Sequence, residues 1–237
     1  MGTARFEVRV LGPLEVVGAD GTVIVGKPMR RALLGLLALR PRQVVSQEAL
    51  IDGLWDEWPP PSALRALHAH VAHLRRALVA AGLDELVRTR PPGYVLHVPP
   101  EHLDVDRFTR LAEVDRAEPP DVAARRLRAA LGLWRGEVLV DCKLGEWARA
   151  EAARLEELRL HVVEELCAAE LELGRHRSTG ADLAALVVRH PLRERLWELL
   201  VLALHGDGRR ADALAACRRA HEVLEAELGV SPGPALR

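Results

Sequence analysis

Between Ser62 and Leu78 the chain reads SALRALHAHVAHLRRAL, with three histidines, three arginines and no acid. Two chemistries are open to such a set. Imidazoles one helical turn apart can share a metal, and arginines spaced by small residues can lie against phosphates and base edges of DNA. Helical geometry separates the two. At about 100° per residue, with Leu64 at 0°, the residues Leu67, Val71, Leu74 and Leu78 join it in a sector of about 80° centred near 320°, a buried stripe. His68 then lies near 40° and His70 near 240°, on opposite flanks, so they cannot chelate together. His70 and His73 could, yet no HExxH pattern or obvious third ligand accompanies them. Helix-flank and surface histidines, without a metal, are the expectation.

Opposite the stripe stand Arg65, Ala66, Ala69, Ala72, His73 and Arg76, cations among very small side chains. A core helix would not keep arginines there. A major groove admits a helix whose alanines allow close approach and whose arginines reach guanines or phosphates. A plain solvated face is the competing reading, and it weakens because no acid occurs from Pro59 through Leu83.

Other candidate chemistry falls away. GTVIVGKP, from Gly21 to Pro28, fits the phosphate-loop pattern GxxxxGK, but Pro28 stands where Ser or Thr would hold magnesium and Val23-Ile24-Val25 reads as a strand. There is no GxSxG, no nucleophilic cysteine signature and no paired carboxylate in a pocket-like setting; Asp104 with Asp106 and Glu156 with Glu157 read as caps and solvated faces. The chain is not expected to be an enzyme or to need a cofactor. Cys142, Cys167 and Cys217 are odd in number and far apart, which suggests buried free thiols rather than disulfides or a zinc knuckle.

The elements that must position the basic helix can be read around it. Short β-rich runs, FEVRVLG, LEVVG and TVIVG, are punctuated by Gly12-Pro13 and Asp20-Gly21 and predict a small antiparallel sheet. From Pro28 the period becomes helical, Leu33, Leu34, Leu36, Leu37 and Leu39 building a helix that stops near Pro41. A second helix starts on the N-cap Ser46, with Ala49, Leu50, Leu54 and Trp55 as its apolar side, and ends at PPP. The basic helix follows, capped by Ser62 and ended by Gly82. Then LVRTR and YVLHV flank PPG as a second hairpin. Helix, turn, helix, basic helix and basic hairpin in that order describe a winged helix-turn-helix, with Arg88 and Arg90 on the wing.

From Asp104 the strand signals vanish, and helices are expected over roughly 104–117, 121–135, 145–174, 181–190, 192–206 and 209–228. LGRH at Leu173 to His176 is followed 34 residues later by DGRR at Asp207 to Arg210, the tetratricopeptide period. The fold class is therefore mainly α with a small β part: a winged-helix domain over 1–98 and an all-α, tetratricopeptide-like domain over 104–237, with PPEHLDVD as the seam. Lys and Arg number 12 against 9 acids in residues 1–98, so the remainder holds 21 against 25 and the net charge of -1 splits into +3 and -4. The first part suits an acidic partner. No apolar run approaches ~18 residues, and MGTARFEVRV has no long apolar segment before a cleavage site. A cytoplasmic protein without membrane contact is expected.

RRALLGLLAL, VVSQEALIDGLW, HVAHLRRAL and RTRPPGYVL together resemble the OmpR-type winged-helix DNA-binding domain. LGLWRGEVL, EAARLEELRL, AAELELGRH, HPLRERLWELLVLAL and GRRADALAACRRAHEVLEAELGVSPGPALR resemble the bacterial transcriptional activator domain. The whole chain is thus similar to the SARP-type antibiotic-regulatory activators of actinobacteria. The resemblance implies a transcriptional activator of a secondary-metabolite gene cluster. Such a protein binds direct repeats near promoters as paired protomers and recruits RNA polymerase through its sigma subunit. In that role, DNA contacts are expected from Arg65, His68, Ala69, Ala72, His73 and Arg76 on the third helix, Arg88 and Arg90 on the wing, and Ser46 ahead of the second helix. The family's third helix usually carries Asn and Gln near positions 65 and 68 and Ser-Arg near 72 and 73; these departures bear on which operator is read, not on DNA binding itself. They also leave a rival reading, a helical protein-interaction module whose winged domain has lost operator recognition. At RSTGAD the family runs an unbroken helix, so Gly180 is expected to delay or weaken that helix start. The last residues, PALR, stand where the family usually continues its last helix, which suits either a short form or part of a longer regulator.

Overall fold

The computed structural model describes residues 6–18, 21–22, 25–115 and 117–236. Strands β1 (Glu7–Arg9), β2 (Glu15–Gly18) and β3 (Gly21–Thr22) form an antiparallel sheet in that order, with Val8 opposite Val16. Asp20 of the expected hairpin and Val23-Ile24 of the expected strand lie outside the described residues. Helix α1 (Pro28–Leu39) carries Pro28 in its first turn, where a missing N–H costs nothing, and buries Leu33, Leu34, Leu36, Leu37 and Leu39. A two-residue strand, β4 (Val45–Ser46), leads into α2 (Gln47–Trp55), where the Ser46 Oγ accepts the Ala49 N–H at 3.1 Å. Next come α3 (Ala63–Val79), β5 (Val87–Arg90) and β6 (Gly93–Leu96), and the second sheet runs β4-β6-β5. This is a winged helix-turn-helix.

Five of the remaining six helices follow the expected order: α4 (Asp104–Ala112), α5 (Pro120–Leu131), α6 (Glu146–Glu172), α8 (Glu194–Gly206) and α9 (Arg210–Leu228). The other, α7 (His176–Arg189), corrects the reading at Gly180. It begins five residues ahead of the expected start and runs through the glycine without a break. Gly180 is buried, and a Cβ there would stand 3.4 Å from the Ala203 Cβ of α8. Packing of the α7–α8 hairpin offsets the glycine's intrinsic cost of about 1 kcal/mol.

By packing, the described residues fall into two compact units, 1–112 with 130–159 and 113–129 with 160–237. In the first, Leu33, Leu34, Leu50, Leu67, Leu74, Leu96 and Phe108 are fully buried. Backbone bonds from Arg135 to Leu11 O and from Leu139 to Val10 O tie the 130–159 segment to the first sheet. In the second, α7, α8 and α9 stack as hairpins around Leu183, Leu196, Leu200 and Ala220. The 34-residue spacing is visible in the backbone. Gly174 (φ 77°) and Gly208 (φ 79°) both turn left-handed after a helix, and the next N–H, of Arg175 or Arg209, reaches back to Glu170 O at 3.0 Å or Leu204 O at 2.9 Å. The cysteines are free, but Cys167 alone is buried; Cys142 and Cys217 are half-buried, which corrects the expectation for those two.

Candidate nucleic-acid interface

The stripe of α3 seats the helix on α1 and α2 through Ala63, Leu67, Val71, Leu74 and Leu78, all buried. Leu64 does not join it. It stands at the edge of the sector, in the first turn, and is 47% exposed. The opposite face is as the angular reading has it: Arg65, His68, Ala69, Ala72 and Arg76 are exposed, and Ala66 and His73 half-buried. Among the described residues neither Arg65 nor Arg76 forms an ion pair. Cations held clear of carboxylates keep their full charge for an outside anion.

His70 and His73 lie on the flank toward α2 and the start of α1. The His70 ring is tilted over Trp55, with centroids 6.2 Å apart. Its proton affinity is lowered by burial and then by the charges of Arg30 and His73. His73 is lowered likewise, by loss of solvent and then by Arg30, Arg76 and Lys27. Both imidazoles are therefore neutral at pH 7, able to donate or accept one hydrogen bond but bringing no charge. Among the described residues no cluster of three or more His, Cys, Asp and Glu is arranged to hold a metal.

The other flank of α3 meets the wing. Arg75, near 20° on the helical wheel, donates from Nε to Val87 O at 2.9 Å and from a terminal nitrogen to the Thr89 Oγ1 at 2.8 Å. Its guanidinium also lies 5.7 Å from the Tyr94 ring centre. Sequence reasoning missed this residue. Its signal was its place on the flank, between the stripe and the exposed face. Arg88 pairs with Glu85 at 2.7 Å, whereas Arg90, at the strand end beside the turn, is exposed and forms no ion pair among the described residues. The wing is fastened to the helical core by β4, where Ser46 pairs with Gly93. Ser46 caps α2 with its oxygen, so its hydroxyl hydrogen stays available to an acceptor. Arg65, Ala69, Ala72 and Arg76 thus form one face, Arg88 and Arg90 line the adjoining hairpin, and Ser46 stands at its base.

This arrangement has relatives. The pattern described as "Transcriptional regulatory protein, C terminal" matches residues 21–96, and "Bacterial transcriptional activator domain" matches 103–237. The chain is 41% identical to regulatory protein DnrI of Streptomyces peucetius, over 98% of this chain and 89% of that protein. It is 38% identical to transcriptional regulatory protein EmbR of Mycobacterium tuberculosis, over 98% of this chain but only 62% of EmbR. It is also 38% identical to transcriptional regulator RedD of Streptomyces coelicolor, over 98% of this chain and 68% of RedD. A solved structure of M. tuberculosis EmbR in complex with a low-affinity phosphopeptide matches 99% of this chain and 64% of its own, with a TM-score of 0.92 and 36% identity. With both domain types in order and relatives along nearly its whole length, the chain belongs to the SARP-type family of transcriptional regulators.

Proposed function

We propose that this regulator binds duplex DNA sequence-specifically, in the cytoplasm, and activates transcription of a secondary-metabolite gene cluster. The observation that carries the reading is the acid-free face of α3, whose arginines are exposed beside a basic wing. Helix α3 enters the major groove with Arg65 toward base edges, Ala69 and Ala72 allowing close approach, and His68, His73 and Arg76 completing the face. Arg88, Arg90 and Ser46 hold backbone phosphates. Function divides at the seam, residues 1–98 engaging DNA and 104–237 supporting self-association and contact with RNA polymerase through its sigma subunit. One short helix reads little sequence, so two protomers occupy direct repeats about one duplex turn (~10–10.5 bp), or a multiple, apart. The role requires no catalysis and no cofactor. Among the described residues no helix is long and apolar enough to cross a membrane.

The test is a mobility-shift assay of the purified chain against promoter fragments of the gene cluster beside its own gene, with scrambled duplexes as competitors. Selective retardation, and a footprint over two half-sites in one orientation, are expected. Equal competition by scrambled DNA would favour the rival reading of an interaction module without operator recognition.

A further inference from the structure

The two flanks of α3 are unlike. One flank, near 20°, is closed by Arg75 and β5. The other, between about 180° and 240°, carries His73 and His70 and faces the start of α1. There Gly26, at φ 91°, turns the chain into α1, and the Arg30 guanidinium folds back over that turn, with one terminal nitrogen 3.1 Å from where a Cβ of residue 26 would stand. The Arg30 Nε is buried and has no hydrogen-bond partner among the described residues. Lys27 is exposed one residue further on and forms no ion pair among them. The charged groups bearing on His73 are Arg30, Arg76 and Lys27, and those bearing on His70 are Arg30 and His73; every one is a cation or an imidazole. Folding gathers positive groups from two elements without a neutralising carboxylate among the described residues, an arrangement that an anion from outside relieves.

A helix with its side chains is about 10–12 Å wide, and a B-form major groove about 12 Å. A helix seated there has one sugar-phosphate backbone along each flank. The wing serves the backbone on the Arg75 side. We propose that Lys27, Arg30 and His73 form a second phosphate clamp, holding the backbone on the opposite side of the groove. The inference rests on the DNA-binding reading of α3, and it adds residues outside both that helix and the wing.

Phosphate contacts are sequence-independent and show in the salt dependence of affinity, about 0.9 in slope per contact, so a random-sequence duplex of about 30 base pairs suffices as probe. The full chain is titrated over about 50–200 mM salt, as wild type, Lys27→Gln, Lys27→Gln/Arg30→Gln, Arg90→Ala and the triple variant. Lys27→Gln is expected to lower the slope by about one and the double variant by about two, with roughly tenfold weaker binding per contact at ~0.1 M salt. The Arg90→Ala effect adds to both if the clamps hold separate phosphates. Lys27 is exposed, so its variant reports even if Arg30→Gln unfolds the domain. Wild type that binds but variants with an unchanged slope would overturn the clamp while leaving the proposed function standing. Failure of wild type to bind any duplex would remove both. Non-additive slopes would overturn the placement on the opposite backbone. Protonation of His73 against a phosphate makes wild-type binding tighten from pH 7.5 to about 5.5; a pH profile unaltered by His73→Gln would exclude that histidine from the clamp.

Discussion

Arg65, Arg88 and Arg90 carry the same charge but stand in different surroundings, and their substitutions should separate accordingly. Arg65 is exposed on the α3 face without a partner among the described residues. If it forms a paired contact to guanine, Arg65→Ala costs about 1–3 kcal/mol of affinity and relaxes preference at one base position. Arg90→Ala should weaken cognate and scrambled DNA about equally and lower the salt slope by roughly one. Arg88 already has Glu85 at 2.7 Å, so a phosphate must compete with that carboxylate, and Arg88→Ala should cost less than Arg90→Ala. Salt titration of the three variants on both DNAs measures all of this. Equal loss on both DNAs for Arg65→Ala would mean that α3 grips phosphates and that bases are read elsewhere. For His73 the sign follows from its surroundings. Its proton affinity is lowered first by lost solvent and then by Arg30, Arg76 and Lys27, so in free protein it gains charge only below the ordinary histidine range. Any charge contribution to DNA binding therefore grows on acidification.

At the scale of elements, the wing keeps its pose through two ties, Arg75 from α3 and the β4–β6 pairing. The second depends on Gly93. A Cβ there would stand 1.8 Å from the Val45 O, a backbone atom that cannot swing aside. Gly93→Ala is therefore expected to part β4 from β6, to destabilise the domain by about 3 kcal/mol in denaturant unfolding, and to loosen DNA binding by freeing the wing. Arg75→Lys keeps the charge but loses the bond to Val87 O or that to Thr89; it should reduce affinity with little change in salt slope, whereas a slope reduced by one would make Arg75 a phosphate ligand instead. The exposed face of α3 was legible from sequence because periodicity alone decides which side of a helix is apolar. Periodicity does not say how far the neighbouring elements extend. That is why Leu64, on the apolar side of the helix, is left 47% exposed and why the tie from Arg75 to the wing could not be read from spacing. Gly180 misled for the converse reason: its propensity is local, while the contact with Ala203 that keeps α7 intact comes from the next helix. Contacts such as the Trp147 Nε1 bond to Ala49 O, across 98 residues of sequence, leave no trace in any local pattern.

On the scale of the whole molecule, the seam segment is no slack linker, because Asp104 fastens it to the first sheet. Leu103 bridges Val8, and the Asp104 carboxylate accepts the Val10 N–H at 2.8 Å and the Leu11 N–H at 2.9 Å, with an Arg135 terminal nitrogen 3.8 Å away. The side chain was read as a solvated cap; it is buried. Burial pushes its carboxyl up from 3.8 to about 6, outweighing the Leu11 and Val10 amides and Arg135, which pull the other way. The folded value lies above the unfolded one. The contribution of this group to stability is therefore fully present below about pH 3.8 and is lost as pH rises through about 6, a change of roughly 3 kcal/mol. Asp104→Asn removes the titration but, with its oxygen in the Oδ2 place accepting the Val10 and Leu11 N–H groups, sets an amide nitrogen against the Val10 N–H that Oδ1 also accepts, which costs about 1–3 kcal/mol at every pH. The difference in unfolding free energy, wild type minus Asp104→Asn, should then be largest near pH 4 and shrink steadily toward pH 7, while the variant's own profile lacks this step. Chemical denaturation of both proteins at several pH values measures it. A difference that stays flat across that range would mean that burial and the Val10, Leu11 and Arg135 contacts cancel at the Asp104 carboxyl, which then ionises as it does in water.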